Sequence, residues 1–133
     1  MKQLTVFLEN RQGRLVEVTE MLAEKNVDLR ALSIADTADF GILRLIVDNP
    51  EFSKKILEDA GMLVQITEVV GAVIPDRPGE LSRALKLFDC AGINLEYLYA
   101  FLAKADDNAH VVFRVADNQA ATSLLRQAGF EIL

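Results

Sequence analysis

The chain has 133 residues, of which 51% are apolar, and carries 14 Lys and Arg against 20 Asp and Glu, a formal charge of −6. That apolar content is ample for a packed core and excludes a disordered chain. The acidic balance disfavours nucleic acid and anionic membrane surfaces, because both require cationic residues to meet phosphate. A single cysteine, Cys90, forbids an intrachain disulfide and fits a reducing cytoplasm. No apolar run approaches the length of a membrane span. The opening Met1-Lys2-Gln3-Leu4 runs straight into a strand pattern, so no secretion signal is expected there.

In chain order, Leu4, Val6 and Leu8 alternate with Thr5, Phe7 and Glu9, the pattern of a half-buried strand. Gly13 then precedes a helix in which Leu15, Val18 and Leu22 recur at helical spacing. Strands are expected over 29–35 and 42–47. Asn49-Pro50-Glu51 opens a second helix with a cap, a proline and an acid, and Gly61 ends it. A last strand is expected over 62–68.

The same series then runs again. Glu9-Asn10-Arg11-Gln12-Gly13-Arg14-Leu15 lies over Pro75-Asp76-Arg77-Pro78-Gly79-Glu80-Leu81, 66 residues on. At that offset Asn26-Val27-Asp28-Leu29 lies over Gly92-Ile93-Asn94-Leu95. Asp48-Asn49 over Asp117-Asn118 and Ala60-Gly61 over Ala128-Gly129 follow at offsets of 69 and 68, so one loop is longer in the second copy. Val70, Ala72 and Ile74 give its first strand, and Leu81, Ala84, Leu85 and Phe88 its first helix, with Pro78 expected in the first turn and Asp76 as its cap. Strands over 95–103, 110–115 and 130–133 complete it. The repeat predicts two tandem βαββαβ units, 1–67 and 68–133. Each is an α+β, ferredoxin-like sandwich with an antiparallel sheet and its helices on one face. Side-by-side pairing of the two is expected, since one unit alone is small for independent stability.

Four other residue groups bear on function. Tyr97, Tyr99 and Phe101 alternate, so they share one strand face with Phe7 and Val73 beside them. Leu98, Ala100 and Leu102 are assigned to the helix-covered side. The aromatic stripe is then exposed and reads as a homodimer face. The first copy has only Ala31, Ser33 and Ala35 there. His110, the one histidine, is expected on the open sheet face with Val112 and Arg114, and without a second ligand it argues against a metal site. Cys90 is expected to be buried, and Asp106-Asp107 to be a solvated loop.

The passage 73–81 with Ala91-Gly92-Ile93-Asn94-Leu95, and its first-copy counterpart, resembles the ACT domain. The resemblance covers essentially the whole chain as two such units. It departs at Gln12, where proline is usual, and at Asp28, where the second copy keeps Asn94. It implies a regulatory module that binds a small molecule, an amino acid, where two ACT units meet. The strand–helix turn of one unit then faces the start of the second strand of the other. Carried onto this chain, the ligand-binding candidates are Asn10, Gln12, Gly13, Arg14 and Leu15 with Asp28 and Leu29, and Asp76, Pro78, Gly79, Glu80 and Leu81 with Asn94 and Leu95. One site would be lined by Asn10 with Asn94, the other by Asp76 with Asp28.

The chemistry suits the role. A helix start offers N–H donors in a positive field for a carboxylate. Glycine admits close approach and φ > 0. Asn and Asp oxygens can accept from an ammonium. The same residues also suit plain structure, as an N-cap at Asp76, a turn at Gly79 and Asx-turns at Asp28 and Asn94. An acylphosphatase-like hydrolase would use Arg11 and Arg77, but no nucleophile or His–acid pair accompanies them. A protein-interaction subunit with vestigial sites is the other alternative. The expectation is therefore a cytoplasmic, non-enzymatic homodimer without cofactor that acts on another protein, such as a metabolic enzyme.

Overall fold

The computed structural model describes residues 1–37, 39–103 and 106–133. It divides into two compact units, Lys2–Thr67, and Glu68–Leu133 together with Met1. The first contains β1 (Lys2–Glu9), α1 (Arg14–Glu24), β2 (Leu29–Asp36), β3 (Phe40–Val47), α2 (Pro50–Asp59) and β4 (Leu63–Glu68). The second contains β5 (Val70–Pro75), α3 (Glu80–Cys90), β6 (Leu95–Ala100), β7 (Asn108–Val115), α4 (Asn118–Gln127) and β8 (Glu131–Ile132). Each has its own four-stranded sheet, ordered β2-β3-β1-β4 and β6-β7-β5-β8. The βαββαβ order and ferredoxin-like layering are those read from the repeat.

In the first unit the apolar stripe of α1, Val18 and Leu22, meets Leu4, Val6, Leu8, Leu43 and Leu45 from the sheet and Leu57 from α2. In the second, Ala84 and Phe88 of α3 meet Ala72, Ile74, Val111, Phe113 and Val115, with Ala121 and Leu125 from α4. Phe88 and Phe113 pack edge to face with centroids 5.5 Å apart. The helix ends use local chemistry visible in the sequence. Asn49 caps α2 by accepting from Phe52 N–H, with Pro50 at the first helical position. Asp117 caps α4 in the same way through Ala120 N–H.

Several expectations are corrected. β1 is not half-buried, because Gln3 and Thr5 on its helix-free face are 0% and 8% exposed. Gln3 Nε2 donates to Thr5 Oγ1 at 3.0 Å, which satisfies part of that buried polarity. Ala31 and Ile46, paired across β2 and β3, are buried on the same face. Asp76 does not cap α3: the cap position is Gly79, and Pro78 lies in the preceding turn rather than in the first helical turn. Leu81 is exposed, because only Ala84 and Phe88 of α3 point squarely at the sheet. Cys90 is exposed, two positions past Phe88 and therefore on the far side of the helix.

β6 ends at Ala100, short of the expected 103, because the chain bends at Leu102 and Ala103 after Phe101 N–H donates to His110 O. Leu98 and Ala100 do face the helix side, opposite Phe113 and Val111, but β6 is an edge strand and both are exposed. The aromatic stripe is not an open surface. Tyr99 is buried opposite Val112, Tyr97 stacks on Tyr99, and Phe101 packs edge to face on His110. His110, Val112 and Arg114 share that face, as expected from their alternation.

Leu22→Ala removes a fully buried side chain and should lower stability by about 2–5 kcal/mol in chemical denaturation. Cys90 should react fully with a thiol reagent in the native protein, and protection until unfolding would contradict its exposed position.

Candidate functional site

In a βαββαβ sheet of order β2-β3-β1-β4, β1 and β2 both run antiparallel to β3 and so parallel to each other. The turn after β1 therefore shares an edge with the end of β2, while the start of β2 lies at the opposite edge. The register shows it: Glu9 pairs with Phe40, Asp36 with Gly41, and Leu29 with Val47. Asn10 Nδ2 accordingly reaches Asp36 Oδ1 at 3.4 Å. Asp28 sits at the far edge, where its N–H donates to Asp48 Oδ1 at 3.2 Å and its carboxylate meets Arg30 at 3.8 Å.

The turn itself is built on Gly13. Arg11 N–H donates to Glu9 O, Arg14 N–H to Arg11 O and Glu17 N–H to Gly13 O. Gly13 takes φ +83°, a left-handed value that side-chain-bearing residues disfavour, and no side chain caps α1. Gly79 repeats this at φ +91°.

A cleft of about 180 Å³ opens between this turn and the end of β2. Leu8, Leu15, Ile34, Ala35 and Gly41 give it an apolar floor. A Cβ on Gly41 would stand 3.7 Å from Ile34 Cδ1 and 3.8 Å from Leu8 Cβ, so the glycine leaves space between them. Glu9, Asn10, Arg11, Arg14 and Asp36 form the polar rim. Arg11 pairs with Glu9 and Glu17, each at 3.3 Å, and Arg14 Nη1 donates to Glu17 at 2.6 Å. The Arg14 hydrogen bond, helped by Arg11, holds the Glu17 carboxyl below its ordinary value. Arg14 Nε is buried without a hydrogen-bond partner.

The second unit has the same turn with different chemistry. Asp76, Arg77, Asp106, Asp107 and Asn108 line an open depression of about 540 Å³, where Asp76 N–H donates to Asp107 O. Glu80 stands where the first unit has Arg14, and Arg83 where it has Glu17. Arg83 Nε and Nη2 donate to Glu80, Nη1 donates to Ala128 O at 3.0 Å, and the guanidinium lies 4.0 Å from the Phe130 ring centre. Asn94 lies at the other edge of this unit, in a groove of about 590 Å³ with Asp117, Ser123 and Gln127.

Of the sequence candidates, Asn10, Arg14 and Leu15 thus come together in one cleft, with Gly13 at its turn. Gln12 and Pro78 are exposed turn residues. Leu29 and Leu95 pack partly buried against their cores. Asp28 and Asn94 lie at the opposite edge of their own units from the strand–helix turns. Sequence reasoning missed Asp36, Ile34 and Gly41, although the parallel run of β1 and β2 implied by the topology would have brought them to the turn. No cluster suited to a metal ion occurs among the described residues.

The ACT domain pair family matches residues 1–130. Protein BT0572 from Bacteroides thetaiotaomicron, a solved structure, is 42% identical and superposes with a TM-score of 0.92 over 99% of this chain and 90% of its own. The regulatory subunit of aspartate kinase from Thermus thermophilus, ligand free, shares the fold at 15% identity, with a TM-score of 0.72 over 96% of this chain and 92% of its own. Aspartokinase III of E. coli, in complex with lysine and aspartate, matches at 17% identity and TM-score 0.54 over 95% of this chain and 30% of its own. No curated protein matches significantly. From the repeat, the two βαββαβ sheets and the match over nearly its whole length, the chain belongs to the ACT domain pair family.

Proposed function

We propose that this protein is an amino-acid-binding regulatory module without catalysis of its own. The observation that carries the reading is the first unit's cleft, where arginine, asparagine and carboxylate side chains ring an apolar floor. An α-amino acid presents one anion, one cation and one side chain, and the rim and floor supply a partner for each. A handful of charge-assisted hydrogen bonds there would give micromolar to millimolar affinity, the range a metabolite sensor needs.

Family membership supports the regulatory part. The resemblance to ACT domains further implies that the ligand is held where two units meet, with Asn94 at the start of β6 completing the site that Asn10 begins. The module would be a cytoplasmic homodimer and pass its signal to a partner, a metabolic enzyme, by favouring one of two arrangements when the ligand is bound.

A thermal-shift screen of the twenty amino acids tests this directly. One or a few should raise the melting temperature through binding to the folded state. Absence of any shift, with the protein recovered in complex with an enzyme, would favour an interaction subunit with vestigial sites instead. Asn94→Ala should weaken the amino acid found in that screen while changing the melting temperature little, since Asn94 is exposed. A large stability loss with unchanged affinity would make Asn94 a turn residue only.

A further inference from the structure

The outer face of α1 carries a run of negative charge that its own unit balances only in part. Glu17, Glu20 and Glu24 follow one another at spacings of three and four, so they share one side of the helix and repel. Glu24 is the last residue of α1, where the helix end is itself partly negative, and no basic residue stands in that turn. Glu17 is met by Arg11 and Arg14. Glu20 and Glu24 are exposed, and among the described residues neither carboxylate has an ion pair or a hydrogen-bond donor. The three glutamates rim a groove of about 300 Å³ floored by Met21, Ala60 and Met62, an adaptable apolar surface beneath an acidic edge.

The second unit's α3 carries the opposite signs at the same places. Arg14, Glu17 and Glu20 correspond, 66 residues on, to Glu80, Arg83 and Lys86, and Glu24 to the neutral Cys90. The first two positions form one ion pair in reversed order, Arg14–Glu17 against Glu80–Arg83. Lys86 is exposed and, like Glu20, has no charged partner among the described residues. Half-buried Leu87 stands where α1 has Met21. The signs also fix an orientation for two such faces. Parallel helices bring equivalent positions opposite one another, so Arg14 meets Glu80, Glu17 meets Arg83, Glu20 meets Lys86, and Glu24 lies beside Cys90. Antiparallel helices would set Glu24 against Glu80, and like charges across an interface are costly. The parallel register has attractions only.

We infer that the outer face of α1 docks on the outer face of α3 of a second copy of this chain, with the two helices parallel and Glu20 of one copy against Lys86 of the other. Lysine suits the groove, because its apolar stem can lie over Met21 and Met62 while its ammonium reaches the carboxylate rim. Each copy carries both faces, so a two-fold axis repeats the contact and closes the dimer. Exposed ion pairs add little affinity one at a time. The charges therefore select partner and register, and apolar contact at Met21 and Leu87 adds adhesion. This rests on the homodimer proposed above and assigns it an interface.

Sedimentation velocity of the full chain tests the interface. The wild type should be a dimer whose dissociation constant rises as salt screens the exposed charges. Glu20→Lys and Lys86→Glu, both at exposed positions, should each weaken the dimer about tenfold, because each sets like charges opposite one another at two symmetry-related places. The double variant E20K/K86E should return close to wild-type affinity, since both signs are then exchanged together. Glu24→Cys gives a second readout that needs no change of sign. Mild oxidation should link it to Cys90 of the other copy, and the same change in a Cys90→Ser background should stay unlinked. A dimer that tolerates both single reversals, stays weak in the double variant or fails to form the cross-link would overturn this interface while leaving the homodimer intact. A wild type that is monomeric at every concentration would instead remove the homodimer and the interface with it.

Discussion

The parallel run of β1 and β2, enforced by their shared antiparallel partner β3, is the constraint on which the rest of each unit depends. It sends α1 back across the sheet, because parallel strands cannot be joined by a tight hairpin. It sets β1 inside the sheet, with β3 and β4 hydrogen-bonded along its two edges. It also brings the β1–α1 turn to the end of β2 and keeps the start of β2 some seven residues of strand away. A site at the turn can therefore recruit Asp36 from its own unit, whereas Asp28 is out of reach of it.

Within that frame the turn is a compromise between backbone and charge. Gly13 takes the left-handed conformation that lets α1 begin immediately, and its place at the cap position leaves the helix without a side-chain cap. The first unit then sets a cation at the helix start, which the local field disfavours by about 0.3–1 kcal/mol. Local rules are broken most often where function demands it. The second unit sets Glu80 there instead, and Arg83, at the position of Glu17, holds the start of α3 to the end of α4.

Much of this was legible in the sequence because the repeat doubles every signal. Landmarks such as Asn49-Pro50, Gly61 and Gly129 are turn and cap chemistry, which local residues decide, and the structure has them where expected. What the sequence did not disclose depends on tertiary surroundings. Alternation alone could not show that Gln3 and Thr5 are buried, since a strand's polar face looks the same whether solvent or protein lies over it. Helical spacing places Cys90 near Phe88 in number, yet two positions on a helix is more than half a turn. Asp76 looked like a cap because its residue type fits, but the turn spends three more residues, Arg77, Pro78 and Gly79, before the helix starts at Glu80. The cleft partners Asp36 and Gly41 are distant from Asn10 in sequence and meet it only through strand register.

The reversed ion pair also bears on how two copies of one unit came to differ. Converting Arg14–Glu17 into Glu80–Arg83, or the reverse, by single substitutions passes through a state with two like charges three residues apart. On a helix surface such a pair is unfavourable by only about 0.2–0.5 kcal/mol, small against the stability of a domain. The barrier to divergence was therefore low on folding grounds. A duplicated chain could explore both polarities while keeping its cores intact.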